Sequence, residues 1–348
     1  MLVIGENMES ILKKEDIWAL SITITGRCNC NCSYCHYYAY RDRDKYNFDM
    51  DENLFRNYVE LIKVIQQKYH QKLQVRFSGG EPLVIGDKLF VYSNYLYQQT
   101  GLRPYVLTNG KALNIDIIKK AKKANISAFL VSVENPFDES EGAPSTEETL
   151  KKIAELDNFD VRVLPAVVVV KNKYFGRLKE ICDLFYSKIH MLPVISELTF
   201  HAFQSPSQKE LRDLYDNVRS IAEEYYGIAP IRIFPYISPE LYASGDKNYL
   251  NELDIENTIG ITDTNVKEIA PMLMQKLEKS YRKYDCGNKA CDWYQDCKVI
   301  KWLWFLDDQK SSSLKGRRLE DYCSMKKAIN QGLYDGIVKN RESLQQEN

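Results

Sequence analysis

Residues 18–35 read WALSITITGRCNCNCSYC. The first eight, Trp18–Thr25, alternate apolar and polar side chains and are rich in β-branched residues, which is the pattern of a strand. The chain then turns into a loop holding Cys28, Cys30, Cys32 and Cys35. The Cys28-x3-Cys32-x2-Cys35 spacing puts three thiols close enough to hold an iron–sulfur cluster or zinc. A closed zinc site would also draw in Cys30. Cys30 and Cys32, however, fall on opposite sides of an extended segment, and zinc sites favour paired cysteine arms far apart in sequence. Three ligands on a cubane cluster would leave one iron open to a substrate or cofactor.

Downstream, strands and helices alternate. Asp51 can cap a helix in which Leu54, Phe55, Tyr58, Leu61, Ile62 and Ile65 recur at helical spacing. Strands are expected at Leu73–Ser78, Tyr105–Thr108, Ala128–Val133, Val161–Val170 and Ile195–Phe203. Helices are expected at Asp87–Gln98, Asn114–Ala124, from Ser145 or Thr146 to Leu156, at Tyr174–His190 and at Ser207–Tyr226. The crossovers are long enough for parallel pairing. The fold class is therefore α/β. Six units are too few for a closed eight-unit barrel, so a partial (β/α)6 parallel barrel is expected. Chemistry in such folds sits in the loops after the strands. Those loops here are Cys28–Cys35, Gly79–Pro82, Thr108–Gly110 and the one opening at Glu134.

Composition sets outer bounds. The chain has 348 residues and a mass of 40.5 kDa, room for a large α/β unit with an appendage. Lys+Arg 47 against Asp+Glu 48 gives a net charge of −1, which argues against a nucleic-acid binder that works by bulk charge. No apolar run approaches the ~18 residues of a membrane span, and the N-terminus lacks a signal-peptide pattern. A cytoplasmic protein is expected, without nucleic-acid or membrane partners. In that reducing compartment, nine cysteines point to metal or redox chemistry rather than disulfides. Cys182, alone in an apolar helical pattern, reads as a buried small hydrophobe.

A second cysteine group, Cys286-x4-Cys291-x5-Cys297-x25-Cys323, lies near the C-terminus. By itself it is open to an iron–sulfur cluster, zinc, or unconnected cysteines around a small core. The intervening stretch from about Pro235 to Pro271 is rich in Gly, Pro, Asn and Asp and reads as a linker or extended loop. The expected organisation is a barrel over 1–234, a linker and helical bridge over 235–283, and a cysteine-rich domain with a terminal helix over 284–348. Trp302 and Trp304 read as the core of that small domain, and the tail after about Lys339 as frayed.

Cys28-x3-Cys32-x2-Cys35 with Tyr34 before the third cysteine, Gly79-Gly80-Glu81-Pro82 after strand two, and Thr108-Asn109-Gly110 after strand three together resemble the radical S-adenosylmethionine (radical SAM) superfamily over residues 17–234. The resemblance implies that Cys28, Cys32 and Cys35 hold a reducing [4Fe–4S] cluster and that Tyr34 packs near the adenine. It implies that Gly79, Gly80 and Glu81 hold the methionyl amino group through backbone and carboxylate. Asn109 belongs to the same cofactor-binding set, and Ser132 and Glu134, by position after strand four, are candidates for ribose or carboxylate contacts. Cys30 departs from the pattern and reads as a bystander. The C-terminal cysteines are similar to the SPASM and twitch extensions, which implies one auxiliary [4Fe–4S] cluster on Cys286, Cys291, Cys297 and Cys323. The first interval is x4 rather than x2, and Lys301 stands where a further cysteine is usual.

The implied chemistry is reductive cleavage of S-adenosylmethionine to a 5′-deoxyadenosyl radical that abstracts a substrate hydrogen. An electron donor of flavodoxin or ferredoxin type is implied with it. A peptide or protein side chain is the favoured substrate, because an open barrel has a wide mouth and no second phosphate-binding glycine loop is visible. The alternative is a small metabolite such as a nucleotide or sugar derivative. Strand one starts near residue 18, leaving no room before it for a leader-binding domain. Recognition then calls for a separate leader-binding protein, or for contacts from the barrel mouth and the 235–271 segment.

Overall fold

The computed structural model describes residues 18–32, 35, 47–69, 73–156, 159, 161–169, 172–197, 205–233, 240–244, 258–259, 271 and 319–346. Nine strands form one sheet: β1 (Trp18–Thr25), β2 (Leu73–Gly79), β3 (Tyr105–Thr108), β4 (Ala128–Val133), β5 (Arg162–Val169), β6 (Val194–Glu197), β7 (Arg232–Ile233), β8 (Glu240–Ser244) and β9 (Thr258–Ile259). Their order is β7-β6-β5-β4-β3-β2-β1-β8-β9, and every pairing is parallel. The helices are α1 (Glu52–Tyr69), α2 (Asp87–Thr100), α3 (Ile115–Lys123), α4 (Thr146–Leu156), α5 (Leu178–Ile189), α6 (Gln208–Tyr225) and α7 (Leu319–Gln346). From β1 to β7 each crossover moves the chain one strand along the sheet. The two ends of the sheet do not pair among the described residues, so the barrel is open.

Local chemistry sets the helix starts. Asp51 accepts the N–H groups of Asn53 and Leu54 at the start of α1, as its sequence position predicts. Ser145 Oγ accepts the N–H of Glu148 ahead of α4, and Ser207 forms a capping box with Glu210 at α6. Inside α1, Phe55 stacks on Tyr92 of α2 with ring centroids 4.1 Å apart. The Tyr92 hydroxyl and Lys88 Nζ both donate to the Met50 carbonyl at 2.7 Å, which ties α2 to the chain entering α1.

Burial alternates along the central strands. Leu20, Ile22 and Ile24 of β1, Val75 and Phe77 of β2, Val106 of β3, Phe129, Val131 and Val133 of β4, and Val163 and Val167 of β5 are buried on one face within the main core. The opposite face carries Arg76, Ser78, Tyr105, Leu107, Leu130, Ser132, Leu164 and Ala166, all partly or fully exposed. Helices cover the first face and leave the second as an open interior. Among the described residues, no helix is long and apolar enough to cross a membrane.

The structure departs from the sequence expectation in four places. A seventh strand, β7, follows α6 and pairs with β6, where six strand–helix units were expected. β8 and β9 fall inside the stretch read as a linker. Residues 240–244 pair with β1 from Ala19↔Glu240 to Thr23↔Ser244. Five residues flanked by proline and glycine carry no strand pattern of their own, and their conformation comes from the ladder that the free edge of β1 offers. The first turn expected of the helix from Tyr174 is a 3₁₀ turn, Asn172–Arg177, before α5 begins. The tail after Lys339, expected to fray, stays helical to Gln346. There Lys339 pairs with Glu223 at 2.8 Å, Asn340 Nδ2 donates to the Glu223 carbonyl at 2.7 Å, and Arg341 donates to the Tyr226 hydroxyl at 3.1 Å.

The last helix lies directly on the last barrel helix. Tyr215 donates its hydroxyl to Asp335 at 2.6 Å. Beside this contact, a Cβ on Gly336 would overlap the Arg219 carbonyl oxygen and the Ala222 side chain. Gly336→Leu should therefore force α7 off α6. Helix propensity gains at most ~1 kcal/mol from losing a glycine. Overpacking typically costs ~1–3 kcal/mol, and here the obstacle is backbone. A fall in the thermal unfolding midpoint, with loss of α7 protection in hydrogen exchange, is the expected outcome.

Candidate active site

The cysteine loop leaves the C-terminal end of β1 and returns beside it. Its neck is closed by an isolated antiparallel bridge, Thr25↔Asp49, with Gly26 N–H donating to the Phe48 carbonyl at 2.9 Å and Met50 N–H to the Ile24 carbonyl at 2.8 Å. Arg27 grips Asp49 with two nearly parallel bonds, Nε to Oδ1 at 2.9 Å and a terminal nitrogen to Oδ2 at 2.7 Å. Thr25 Oγ1 also donates to Asp49 Oδ1 at 2.7 Å. Burial alone would raise the Asp49 carboxyl, but the hydrogen bonds from Arg27 and Thr25 and the Arg27 charge outweigh it and hold the carboxyl below its ordinary range.

The end of β2 is pressed against this neck. A Cβ on Gly79 would overlap the Thr25 carbonyl oxygen, and one on Gly80 would overlap that of Arg27. Gly79 also sits at φ +142°. Only glycine permits this approach. Across the contact, Gly80 N–H donates to the Thr25 carbonyl at 2.9 Å and Glu81 N–H to the Arg27 carbonyl at 2.8 Å. Among the described residues, the Gly80 carbonyl has no partner.

Glu81 is fully buried. Its carboxylate accepts from Leu83 N–H at 3.0 Å, Thr108 Oγ1 at 2.7 Å and Asn109 N–H at 2.6 Å. Burial raises its proton affinity, and the three donors work against that rise. The sequence expectation gave this carboxylate to a methionyl amino group. Here it braces the turn after β2 against the turn after β3.

Asn109 completes the chain of contacts. Its side-chain amide donates to Asn29 Oδ1 at 2.7 Å and approaches Cys28 Sγ at 3.8 Å. Its Oδ1 accepts from Lys111 N–H at 2.9 Å. Cys30 N–H points at Cys28 Sγ, 3.4 Å away. Cys28, Cys32 and Cys35 are half-buried, while Cys30 is buried at 5% exposure. Tyr34 lies outside the described residues.

The turn after β4 closes the site from the other side. Glu134 is buried and its Oε2 accepts from Ser140 N–H at 3.0 Å. Asn31 N–H donates to the Gly142 carbonyl at 3.5 Å, which ties this turn to the cysteine loop. Ser132, two positions before Glu134, is exposed on the open interior. Burial first, then the negative charge of Glu134 and the neighbouring cysteines, push the Cys32 thiol up to about 12. Burial pushes the Cys28 thiol up as well, against donation from Cys30 N–H. As thiols these groups hold their protons at neutral pH, and a cationic metal centre would have to displace them. Three sulfur donors on one loop, with an amide aimed at the first, are the donor set of an iron–sulfur cluster with one open iron, although among the described residues no three such side chains stand together as a formed metal site.

Arg27, Asp49, Thr25 and Asn29 shape the site but carried no signal in sequence, because Asp49 is brought to Arg27 only by the returning chain. Of the second cysteine group only Cys323, on α7, is described; Cys286, Cys291 and Cys297 lie outside the described residues, with Trp302 and Trp304. Cys182 is buried in α5, as its pattern predicts.

Residues 22–185 match the model of the Radical SAM superfamily. No curated protein sequence matches the chain. Among solved structures, the chain is similar to anSMEcpe with bound AdoMet, at 15% identity over 94% of this chain and 96% of that one, with a TM-score of 0.63. It is also similar to anSMEcpe with bound AdoMet and Cp18Cys peptide, at 14% identity over 94% and 100%, with a TM-score of 0.59. BtrN in complex with AdoMet and 2-DOIA matches at 20% identity and a TM-score of 0.33, over 44% of this chain and 57% of that one, so the chain spans a little over half of BtrN. At 14–15% identity the likeness to the two anSMEcpe structures is one of fold.

The Glu81 brace can be tested directly. A glutamine amide in its place keeps one acceptor oxygen but turns an N–H₂ toward a donor, Asn109 N–H or the Thr108 hydroxyl. Glu81→Gln should lower stability by about 1–3 kcal/mol, the cost of a buried donor left unsatisfied. Chemical denaturation with the slope held constant measures it, and an unchanged midpoint would show that the brace contributes nothing.

Proposed function

Because residues 22–185 make up a radical SAM superfamily domain and the chain is an enzyme of that class, we propose that it holds a [4Fe–4S] cluster on Cys28, Cys32 and Cys35 and acts on a peptide or protein side chain. When bound, the cluster supplies one electron to S-adenosylmethionine, whose C5′–S cleavage gives methionine and a 5′-deoxyadenosyl radical able to take a hydrogen atom from the substrate.

The observation that carries this reading is the joining of three loops at one edge of the sheet. Asn109 donates toward the Cys28 sulfur and to Asn29, the Gly80 and Glu81 N–H groups bond to the Thr25 and Arg27 carbonyls at the start of the cysteine loop, and Glu81 takes the Asn109 N–H, so the three turns are tied together. In this reading the three thiols ligate the cluster, Asn109 donates toward the Cys28 sulfur, and Glu81 holds the turns in register. With the Glu81 carboxylate and the Gly80 and Glu81 N–H groups already engaged, the acceptor left for the methionyl ammonium is the Gly80 carbonyl. Ser132 faces the interior at the height of the loops and is suited to a ribose hydroxyl; Glu134 stands behind it, within electrostatic reach of Cys32. Tyr34, next to Cys35 in sequence, is the candidate for packing on the adenine.

The open sheet supports a peptide substrate, since its interior is accessible from the side to an extended chain. Reduction calls for a one-electron donor of flavodoxin or ferredoxin type, and capture of a precursor for a separate leader-binding protein or for the barrel mouth itself. An auxiliary [4Fe–4S] cluster on Cys286, Cys291, Cys297 and Cys323 belongs to the same proposal. Its support is that Cys323 sits on a helix clamped to the barrel through Tyr215–Asp335 and Glu223–Lys339. Full ligation by four cysteines suits electron transfer or structure rather than substrate coordination.

Anaerobically reconstituted and reduced protein should cleave S-adenosylmethionine, read as 5′-deoxyadenosine. Cys28→Ala, Cys32→Ala and Cys35→Ala should each abolish it, and Cys30→Ala should retain most of it. Loss in Cys30→Ala with survival of Cys28→Ala would overturn the ligand set. Product mass on candidate peptides, with a nucleotide panel in parallel, decides the substrate; a product from nucleotides alone removes the peptide reading.

Iron analysis tests the second cluster. About eight irons per chain are expected for two cubanes. The triple alanine variant at Cys28, Cys32 and Cys35 should keep about half of them. Zinc, or no metal, in that variant would remove the auxiliary cluster.

A further inference from the structure

The turn after β3 is held from several directions. Thr108 Oγ1 donates to the Glu81 carboxylate at 2.7 Å and accepts from Gly110 N–H at 3.1 Å. The Asn109 N–H goes to the other Glu81 oxygen at 2.6 Å. Lys152 of α4 adds two bonds, from its ammonium to the Gly110 carbonyl at 3.1 Å and to the Lys111 carbonyl at 2.9 Å. Gly110 sits at φ +74°, and a Cβ there would overlap the Val131 side chain. Asn109 therefore stands on a turn fixed by a buried carboxylate and an ammonium, the kind of outer support that orients a group toward a metal ligand.

The hydrogen bonds of its side chain fix which way the amide faces. Asn109 Oδ1 accepts from Lys111 N–H at 2.9 Å. A backbone N–H is met only by an acceptor, so the oxygen must stand on that side and the NH₂ group on the other. There the NH₂ group donates to Asn29 Oδ1 at 2.7 Å and approaches Cys28 Sγ at 3.8 Å. Its two hydrogens serve these two partners. With the backbone N–H on Glu81, Asn109 has no N–H left for a ligand. Cys30 N–H points at the same sulfur from 3.4 Å. Cys28 Sγ thus collects two N–H groups, while among the described residues no donor reaches Cys32 Sγ.

We propose that Asn109 acts through Cys28 to raise the reduction potential of the iron–sulfur cluster, as a positioning residue outside the ligand set rather than a contact to S-adenosylmethionine. The proposal rests on the ligand reading above and adds what sets the potential of that cluster. Reduction by one electron, supplied by the external donor, adds negative charge, part of which falls on the ligand sulfurs. An N–H aimed at a sulfur favours the more negative, reduced form. Because the turn already holds the amide in place, little has to reorganise when the electron arrives. The Cys30 N–H works in the same direction, but it belongs to the loop backbone, so Asn109 is the donor that a substitution removes.

The test is a redox titration of the reconstituted protein, followed by the electron paramagnetic resonance signal that the triple alanine variant at Cys28, Cys32 and Cys35 lacks. Asn109→Leu keeps the size of the side chain without its N–H groups. It should lower the equilibrium constant for one-electron reduction about tenfold, or ~59 mV. Asn109→Asp sets a negative charge beside the sulfur and should lower it further. Asn29→Ala removes the neighbouring acceptor but leaves the donor to the sulfur, and should keep most of the wild-type potential. Added S-adenosylmethionine should still change the signal of Asn109→Leu. An unchanged potential in Asn109→Leu, an equal fall in Asn29→Ala, or a signal in Asn109→Leu that no longer responds to S-adenosylmethionine would overturn the proposal. So would loss of the cluster from both Asn109 variants, which would assign the residue to holding the loop. A wild-type protein with no reducible signal beyond that of the triple variant defeats the ligand reading itself. A wild-type signal whose potential survives in Asn109→Leu defeats the tuning alone.

Discussion

The contact between the end of β1 and the end of β2 sets the geometry of the whole upper rim. Two backbone hydrogen bonds, Gly80 N–H to Thr25 and Glu81 N–H to Arg27, cross a gap too narrow for any Cβ. The Glu81 side chain then turns inward and takes donors from its own turn and from the turn after β3. A net gain of only ~1 kcal/mol per hydrogen bond understates its effect. Glu81 and Thr108 are buried, so breaking a bond of the Glu81 carboxylate leaves an unsatisfied partner, and the turns it joins are held together. The first cysteine, Cys28, follows directly on this contact, and the loop inherits its position.

Electrostatics at the rim are asymmetric. Burial favours neutral thiols at both Cys28 and Cys32, with the Glu81 charge adding to it at Cys28 and Glu134 and the neighbouring cysteines at Cys32. Such a loop gains most from a cationic centre that supplies the charge the surroundings lack. Asn109 offers the opposite influence, an amide N–H near the Cys28 sulfur, of the kind that tunes a cluster's potential from outside its ligand set.

The C-terminal helix extends this frame away from the rim. Its contact with α6 is close because Gly336 lets the two backbones approach, and Asp335, Lys339 and Asn340 add directed bonds on either side. Cys323 rides on the same helix as those contacts. On the other edge of the sheet, β8 and β9 extend the ladder past β1 and place the first strand in the interior of the sheet rather than at its border.

Much of this was legible from residues alone. The alternation of WALSITIT, the helical spacing after Asp51, and the cysteine, glycine and Thr-Asn-Gly turns at strand ends determine the α/β class, the order of β1 to β6 and the edge at which chemistry gathers, because these depend on local period and turn chemistry. Three features came only from tertiary structure. β8 has no strand pattern, since its ladder partner is more than two hundred residues away in sequence. Glu81 changes from a ligand-facing carboxylate to a buried brace, because its donors come from β3 and its burial from the packing of three turns. Arg162 and Arg232 carry no shared signal in sequence, and only parallel register across β5, β6 and β7 sets them on one face of the sheet. Sequence period reports which side of an element a residue takes; which residues then meet is decided by how the elements pair.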